Sequence, residues 1–143
     1  MLTQLPSAWF AGLSVEELTE EKAVISVKQK WFNKNPFKSI YVAILSMPAE
    51  VSTGILAMGA LYKRKPSVSM LAVNMEGSFI KKATGKILFT CCDGKQLNEA
   101  VEKSIDTGEP ITVRCHSIGT NEANEVVAEF YFTWSFKSRS ASP

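Results

Sequence analysis

The chain predicts an α+β fold in which an antiparallel sheet of five to six strands wraps one long central helix. Three observations lead there. Ile40 to Tyr62 is apolar on every side, a pattern that needs cover all round. Val126, Ala128, Phe130, Phe132, Trp134 and Phe136 alternate with polar residues and lay a row of large side chains on one face of a strand. Most of the remaining apolar runs are short and bounded by turn residues, as strands are. With 143 residues, 45% of them hydrophobic and 21% charged, the chain is long enough to bury a sizeable core and too apolar for disorder. One domain is expected over residues 1–143, with its core at about 12–137.

The elements follow in order. Gly12 to Leu18 and Lys22 to Lys30 read as a hairpin across a Glu/Thr turn. The long helix comes next. Its 23 residues, almost wholly apolar, are enough to span a bilayer, but Pro48 and Glu50 stand mid-segment among Ser46, Ser52 and Thr53, and a central carboxylate is costly in lipid. A helix buried by protein is the expectation. Val68 to Met75 and Lys86 to Cys92 are further strands, with Gly77 and Gly85 in the connection between them. Gly94 to Thr107 carries Leu97, Ala100, Val101, Ser104 and Ile105 at core-facing helical spacing, with Asp93 placed to cap its start and Gly108 its end. Ile111, Val113 and Cys115 then alternate with Thr112, Arg114 and His116, ahead of the aromatic strand.

Charge and cysteine content exclude more than they assign. A net charge of +2, from 16 basic and 14 acidic residues, makes neither nucleic acid nor a membrane surface the default partner. Cys91, Cys92 and Cys115 are odd in number and lack metal-ligand spacing, so neither a disulfide framework nor a metal site is expected. Met1 to Gln4 carries no basic n-region and Pro6 cuts the apolar stretch, which leaves a reducing, cytoplasmic setting as the expectation.

Glu50 is the only ionisable group in the helix. On a helical wheel Ala43, Ser46, Thr53, Gly54 and Ala57 lie within about 60° of it, a small and partly polar stripe that leaves room for a backbone or a thin ligand. Tyr41, Leu45, Pro48 and Ile55 lie opposite and suit a sheet. A second account of Glu50 stands beside this one. If the helix restarts at Pro48, Glu50 falls in a first turn, where free amides and the helix dipole stabilise a carboxylate that has no chemistry to do. Ser39 suits an N-cap, and no His/Asp pair accompanies it as a nucleophile. Asn35 is followed by Pro36, a common turn dipeptide. His116 falls on the polar face of its strand and is expected to be solvated.

The stretches Asn35-Pro36-Phe37-Lys38-Ser39-Ile40-Tyr41-Val42-Ala43, Met47-Pro48-Ala49-Glu50 and Thr53-Gly54 resemble the lead-in loop and helix of the hotdog thioesterases. Phe79-Ile80-Lys81-Lys82-Ala83-Thr84-Gly85-Lys86 is similar to a strand and turn of the same family, and the order of elements matches over about residues 12 to 137. The nearest pattern is that of the uncharacterised families grouped as candidate acyl-coenzyme A thioesterases. The resemblance implies a hydrolase of acyl thioesters, on coenzyme A or an acyl carrier protein, acting in fatty acid metabolism as a homodimer or dimer of dimers. It needs no cofactor beyond the coenzyme A of the substrate. It implies Glu50 as base or nucleophile and Asn35 as a ligand of water or the thioester oxygen. The amides at Tyr41, Val42 and Ala43 would form an oxyanion hole. Ser46, Thr53, Gly54 and Phe79 would border the substrate, with Lys81 and Lys82 toward phosphates or an acidic carrier. Trp31, Phe32, Phe37 and Phe79 are candidates for an acyl tunnel or for core, and Lys63-Arg64-Lys65 for a second basic contact or helix-end cations. The His-Gly-Gly-like opening common in the family is absent here, where Ser39 to Ala43 stand instead. A non-catalytic acyl-binding or regulatory module is therefore the alternative, and a dehydratase or hydratase relying on His116 a third.

Overall fold

Polypeptide that alternates apolar and polar residues can bury one face only by pairing into a sheet around something else, and here that something is the long helix. The computed structural model describes residues 11–62 and 64–139. The remaining residues and the Phe32 side chain lie outside it, and with them Lys63 and the expectation for Met1 to Gln4. Six strands form one antiparallel sheet: β1 (Leu13–Leu18), β2 (Ala23–Lys28), β3 (Val68–Phe79), β4 (Lys86–Cys91), β5 (Ile111–Thr120) and β6 (Val126–Ser138). Their spatial order is β1-β2-β4-β5-β6-β3. Helix α1 (Val42–Leu61) packs against β2, β4 and β5, and α2 (Gly94–Thr107) packs beside it against β5 and β6.

Helix α1 runs unbroken through Pro48, which is buried. The restart considered for Pro48 does not occur. Burial of Leu45, Ala49, Val51, Leu56 and Ala57 outweighs the one backbone hydrogen bond that proline removes. Buried hydroxyls bind locally or to the sheet: Ser52 Oγ and Ser117 Oγ are 2.7 Å apart, and Trp134 Nε1 donates to Thr53 Oγ1 at 2.9 Å.

Three local expectations are corrected. Gly77 is no turn: β3 is 12 residues long, and it pairs with β6 at the sheet edge. A β-carbon at Gly77 would stand 2.7 Å from Phe130 Cε1, so glycine is what lets that ring lie across the strand. Val126 leaves the buried row because the register slips between Gly119 and Thr120; Val127 and Ala128 are buried and Val126 is exposed. Asp93 precedes α2 but makes no capping bond; its carboxylate accepts the His116 N–H at 2.7 Å, where β4 and β5 have ceased to pair. Gly108 ends α2 in the left-handed conformation, φ 70°, as expected.

Candidate active site

Everything at the head of α1 depends on how residues 28–41 are tied down. Asn33 is buried, and its side chain donates to Ala11 O (2.9 Å) and Lys28 O (2.8 Å) while accepting from Lys30 N (2.9 Å). Two residues on, Asn35 Oδ1 accepts from Phe37 N, Ser39 N and Ser39 Oγ at 2.9, 3.2 and 3.1 Å, an Asx turn that folds the loop back toward the helix. Ser39 is thus a ligand of Asn35, and Tyr41 holds the N-cap position without a side-chain bond.

This loop determines which amides remain open. Ile40 N donates to Ala83 O and Tyr41 N to Asn33 O, both at 2.8 Å. Ile44 N and Leu45 N both donate to Tyr41 O. The N–H groups of Val42 and Ala43 have no acceptor among the described residues. Of the three amides expected to face a substrate oxygen, Tyr41 is engaged and two are open at the positive end of a 20-residue helix.

A cleft of about 340 Å³ adjoins them, lined by Asn35, Ser39, Ile40, Val42, Leu45 and the segment Phe79 to Ala83. It brings together five of the expected site residues: Asn35, Val42, Phe79, Lys81 and Lys82. Lys81 is ion-paired with Glu125, whose carboxyl the pairing holds below the usual carboxylate range. Lys82 makes no ion pair among the described residues. Trp31 and Phe37 do not line the cleft; they are 79% and 72% exposed, so neither belongs to the core.

Glu50 sits apart, as the ninth residue of α1. The account of it as a first-turn carboxylate is therefore excluded. Eight residues separate it from Val42, about 12 Å along the axis. Its carboxylate has no hydrogen-bond or ion-pair partner among the described residues, and burial pushes its pKa above the usual range. Its Oε1 lies over the bare face of Gly54, beside the Trp134 ring. The small stripe is divided: Thr53, Gly54 and Ala57 are buried against the protein, whereas Ala43 is exposed and Ser46 half-buried.

His116 lies on the outer face of the sheet but is not simply solvated. Its Nε2 is 2.8 Å from Glu129 Oε1, and its ring stacks on Tyr131 with centroids 4.4 Å apart. The Arg114 guanidinium also lies over Tyr131 and pairs with Glu76. The sheet stands between this cluster and the cleft. Among the described residues no three His, Cys, Asp or Glu side chains gather as a metal site.

The family model described as Domain of unknown function (DUF4442) matches residues 1–136. The chain belongs to the DUF4442 family. No curated protein matches its sequence. Among solved structures, a Pseudomonas aeruginosa protein of unknown function, named as a "Probable Thioesterase", shares 20% identity at a TM-score of 0.85, covering 96% of this chain and 91% of that one. A Staphylococcus aureus thioesterase enzyme shares 15% at 0.69, covering 94% and 98%. A Haemophilus influenzae thioesterase shares 10% at 0.68, covering 92% and 82%. At these identities the likeness is one of fold. This DUF4442 protein has the hotdog fold expected from its lead-in loop, its all-apolar helix and its aromatic strand.

Sequence reasoning gave no positioning role to Asn33 or Ala83, which hold the cleft in shape by accepting from Tyr41 N and Ile40 N. The stretch Asn33-Lys34-Asn35 is a turn signal that points to the first. Ala83 stands in the stretch that resembles the family's strand and turn, but nothing local shows that its carbonyl meets Ile40 from 43 residues away.

Proposed function

We propose that this protein hydrolyses acyl thioesters, of coenzyme A or an acyl carrier protein, at the cleft beside the head of α1. The observation that carries the reading is the pair of open amides at Val42 and Ala43 on the edge of that cleft. Two N–H groups at a helix N-terminus can hold the oxyanion that forms when water attacks a thioester carbonyl, and removing one such donor typically costs 10²–10³ in rate. Glu50 is the base or nucleophile, its raised pKa bringing proton uptake closer to neutral pH. Asn35 holds its turn with Oδ1, and its Nδ2, which makes no bond among the described residues, is the group left for a water or the thioester oxygen. Phe79 and Lys82 border the acyl and phosphate ends.

A carboxylate about 12 Å along the helix from the amides cannot serve the same carbonyl within one chain, so the site is completed by Glu50 of a second copy. The edge of β3 supports such a homodimer: it is long, unpaired on one side, and exposes Leu71, Val73 and Met75. No cofactor is required. The engagement of the Tyr41 amide by Asn33 O favours the second reading, an acyl-binding module without turnover.

The deciding experiment is thiol release from a panel of acyl-coenzyme A chain lengths by native protein and Glu50→Gln. Turnover lost in the variant supports hydrolysis by Glu50. Equal rates would remove Glu50 from the mechanism, and binding without turnover would establish the second reading.

A further inference from the structure

The whole-chain charge of +2 hides an uneven distribution. No acidic residue occurs between Glu21 and Glu50, and within that interval Lys28 ends β2 while Lys30, Lys34 and Lys38 fall on the loop that follows it. All four are exposed, and none forms an ion pair among the described residues. Between them stand Trp31 and Phe37, the first and third most exposed of the large hydrophobic side chains among the described residues. The loop is held in shape by the Asn33 and Asn35 bonds, and Gln29 Nε2 adds a clamp on Lys38 O at 2.9 Å. Lys38 is held at φ 61°, a left-handed conformation that closes the turn just beyond Phe37. The aromatic tips are therefore displayed on a braced scaffold.

We propose that the loop of residues 28–38 is a docking surface for an anionic lipid bilayer. Exposed indole and phenyl rings flanked by lysines match the chemistry of a membrane interface: the rings enter the headgroup boundary and the ammonium groups meet lipid phosphates and carboxylates. A nucleotide would need walls on both sides of its base, and neither Trp31 nor Phe37 lines the cleft at the head of α1. A second copy of this loop brings only more positive charge. The inference does not depend on thioester hydrolysis: Asn35 lines the cleft, but Trp31, Lys34, Phe37 and Lys38, which carry the docking argument, do not. It revises the expectation that no membrane is involved, because surface binding responds to local charge and not to the total.

The test is co-sedimentation of the full chain with mixed phosphatidylcholine/phosphatidylserine vesicles, pure phosphatidylcholine vesicles as reference, at low and high salt. The native protein is expected to partition to the anionic vesicles and to be released by salt. Each of Lys34→Gln and Lys38→Asn should weaken partitioning about fivefold, the asparagine chosen because it tolerates the left-handed conformation. The pair Trp31→Ser and Phe37→Ser should abolish it, while thermal midpoints stay unchanged because all four side chains are exposed. Equal partitioning to both vesicle types, or none to either, overturns the proposal. So does tighter binding of a fluorescent oligo-dT than of vesicles, or a change of solution mass in the aromatic variant, which would make the loop a nucleic-acid or self-association surface.

Discussion

Replacing Gly54 with Ala should separate stability from function at the centre of α1. Glycine inside a helix costs about 0.8–1 kcal/mol relative to alanine, because its backbone loses more freedom on folding. The new methyl would lie 3.2 Å from Glu50 Oε1 and 3.4 Å from Trp134 Cζ2. The second is an ordinary contact with a ring fixed by its bond to Thr53. The first is tight by a few tenths of an ångström, but it meets the free end of a side chain that nothing else holds, so the carboxylate gives way. The net change is a stabilisation of about 0.5–1 kcal/mol. With an unfolding entropy of about 0.3 kcal/mol per kelvin for a chain of this length, Tm should rise by about 2–3 °C. The methyl also adds apolar cover beside the carboxylate, driving its pKa further up, and moves the oxygen off its native position. Thiol release should fall about tenfold, since displacements approaching an ångström cost 10²-fold. Calorimetry and carboxyl titration by NMR read the two effects. A fall in Tm would show that Glu50 or Trp134 cannot yield, and an unmoved Glu50 titration would refute its placement over Gly54.

The remaining expectations are more local. Thr53→Val leaves the buried Trp134 Nε1–H without its acceptor and should destabilise by about 1–3 kcal/mol, read as a lower urea midpoint. Because burial raises the Glu50 pKa in the folded chain, unfolding releases a proton between the ordinary carboxylate value and the raised one, and stability falls as pH rises through that window. Glu50→Gln should remove this dependence and gain on the native protein from acid to neutral pH; a difference between the two that stays constant with pH would contradict it. Of the three thiols, Cys92 alone is exposed, while burial raises the pKa of Cys91 and that of Cys115 to about 12. Ellman's reagent should therefore modify one thiol in native protein and three after denaturation.

Helix positions and most strands were legible because their signals are local. The stripe from Leu97 to Ile105 fits α2 from Gly94 to Thr107, and the aromatic alternation fits β6 from Ala128 onward. Strand pairing was not legible: Gly77 carries a turn residue's signature, and only the position of the Phe130 ring shows why glycine is needed inside a strand. The cleft shows the same division. Asn35, Val42, Phe79 and Lys82 could be singled out from the lead-in loop and the strand end, but their convergence depends on the Ile40 bond to Ala83 O, between segments far apart in the chain. Lys81 looked equivalent to Lys82 until Glu125 came to face it.

By itself the sequence determined what each segment must bury and which groups carry chemistry: an all-apolar helix with one carboxylate, strands to cover it, and a loop whose lysines meet no acid nearby in the chain. Tertiary structure alone decided which of those groups are available. The Tyr41 amide is taken by Asn33, the Val42 and Ala43 amides are open, and Glu50 stands two turns away beside Gly54. Hydrogen bonds and ion pairs are short-range, so availability depends on neighbours a few ångströms away that only folding brings together.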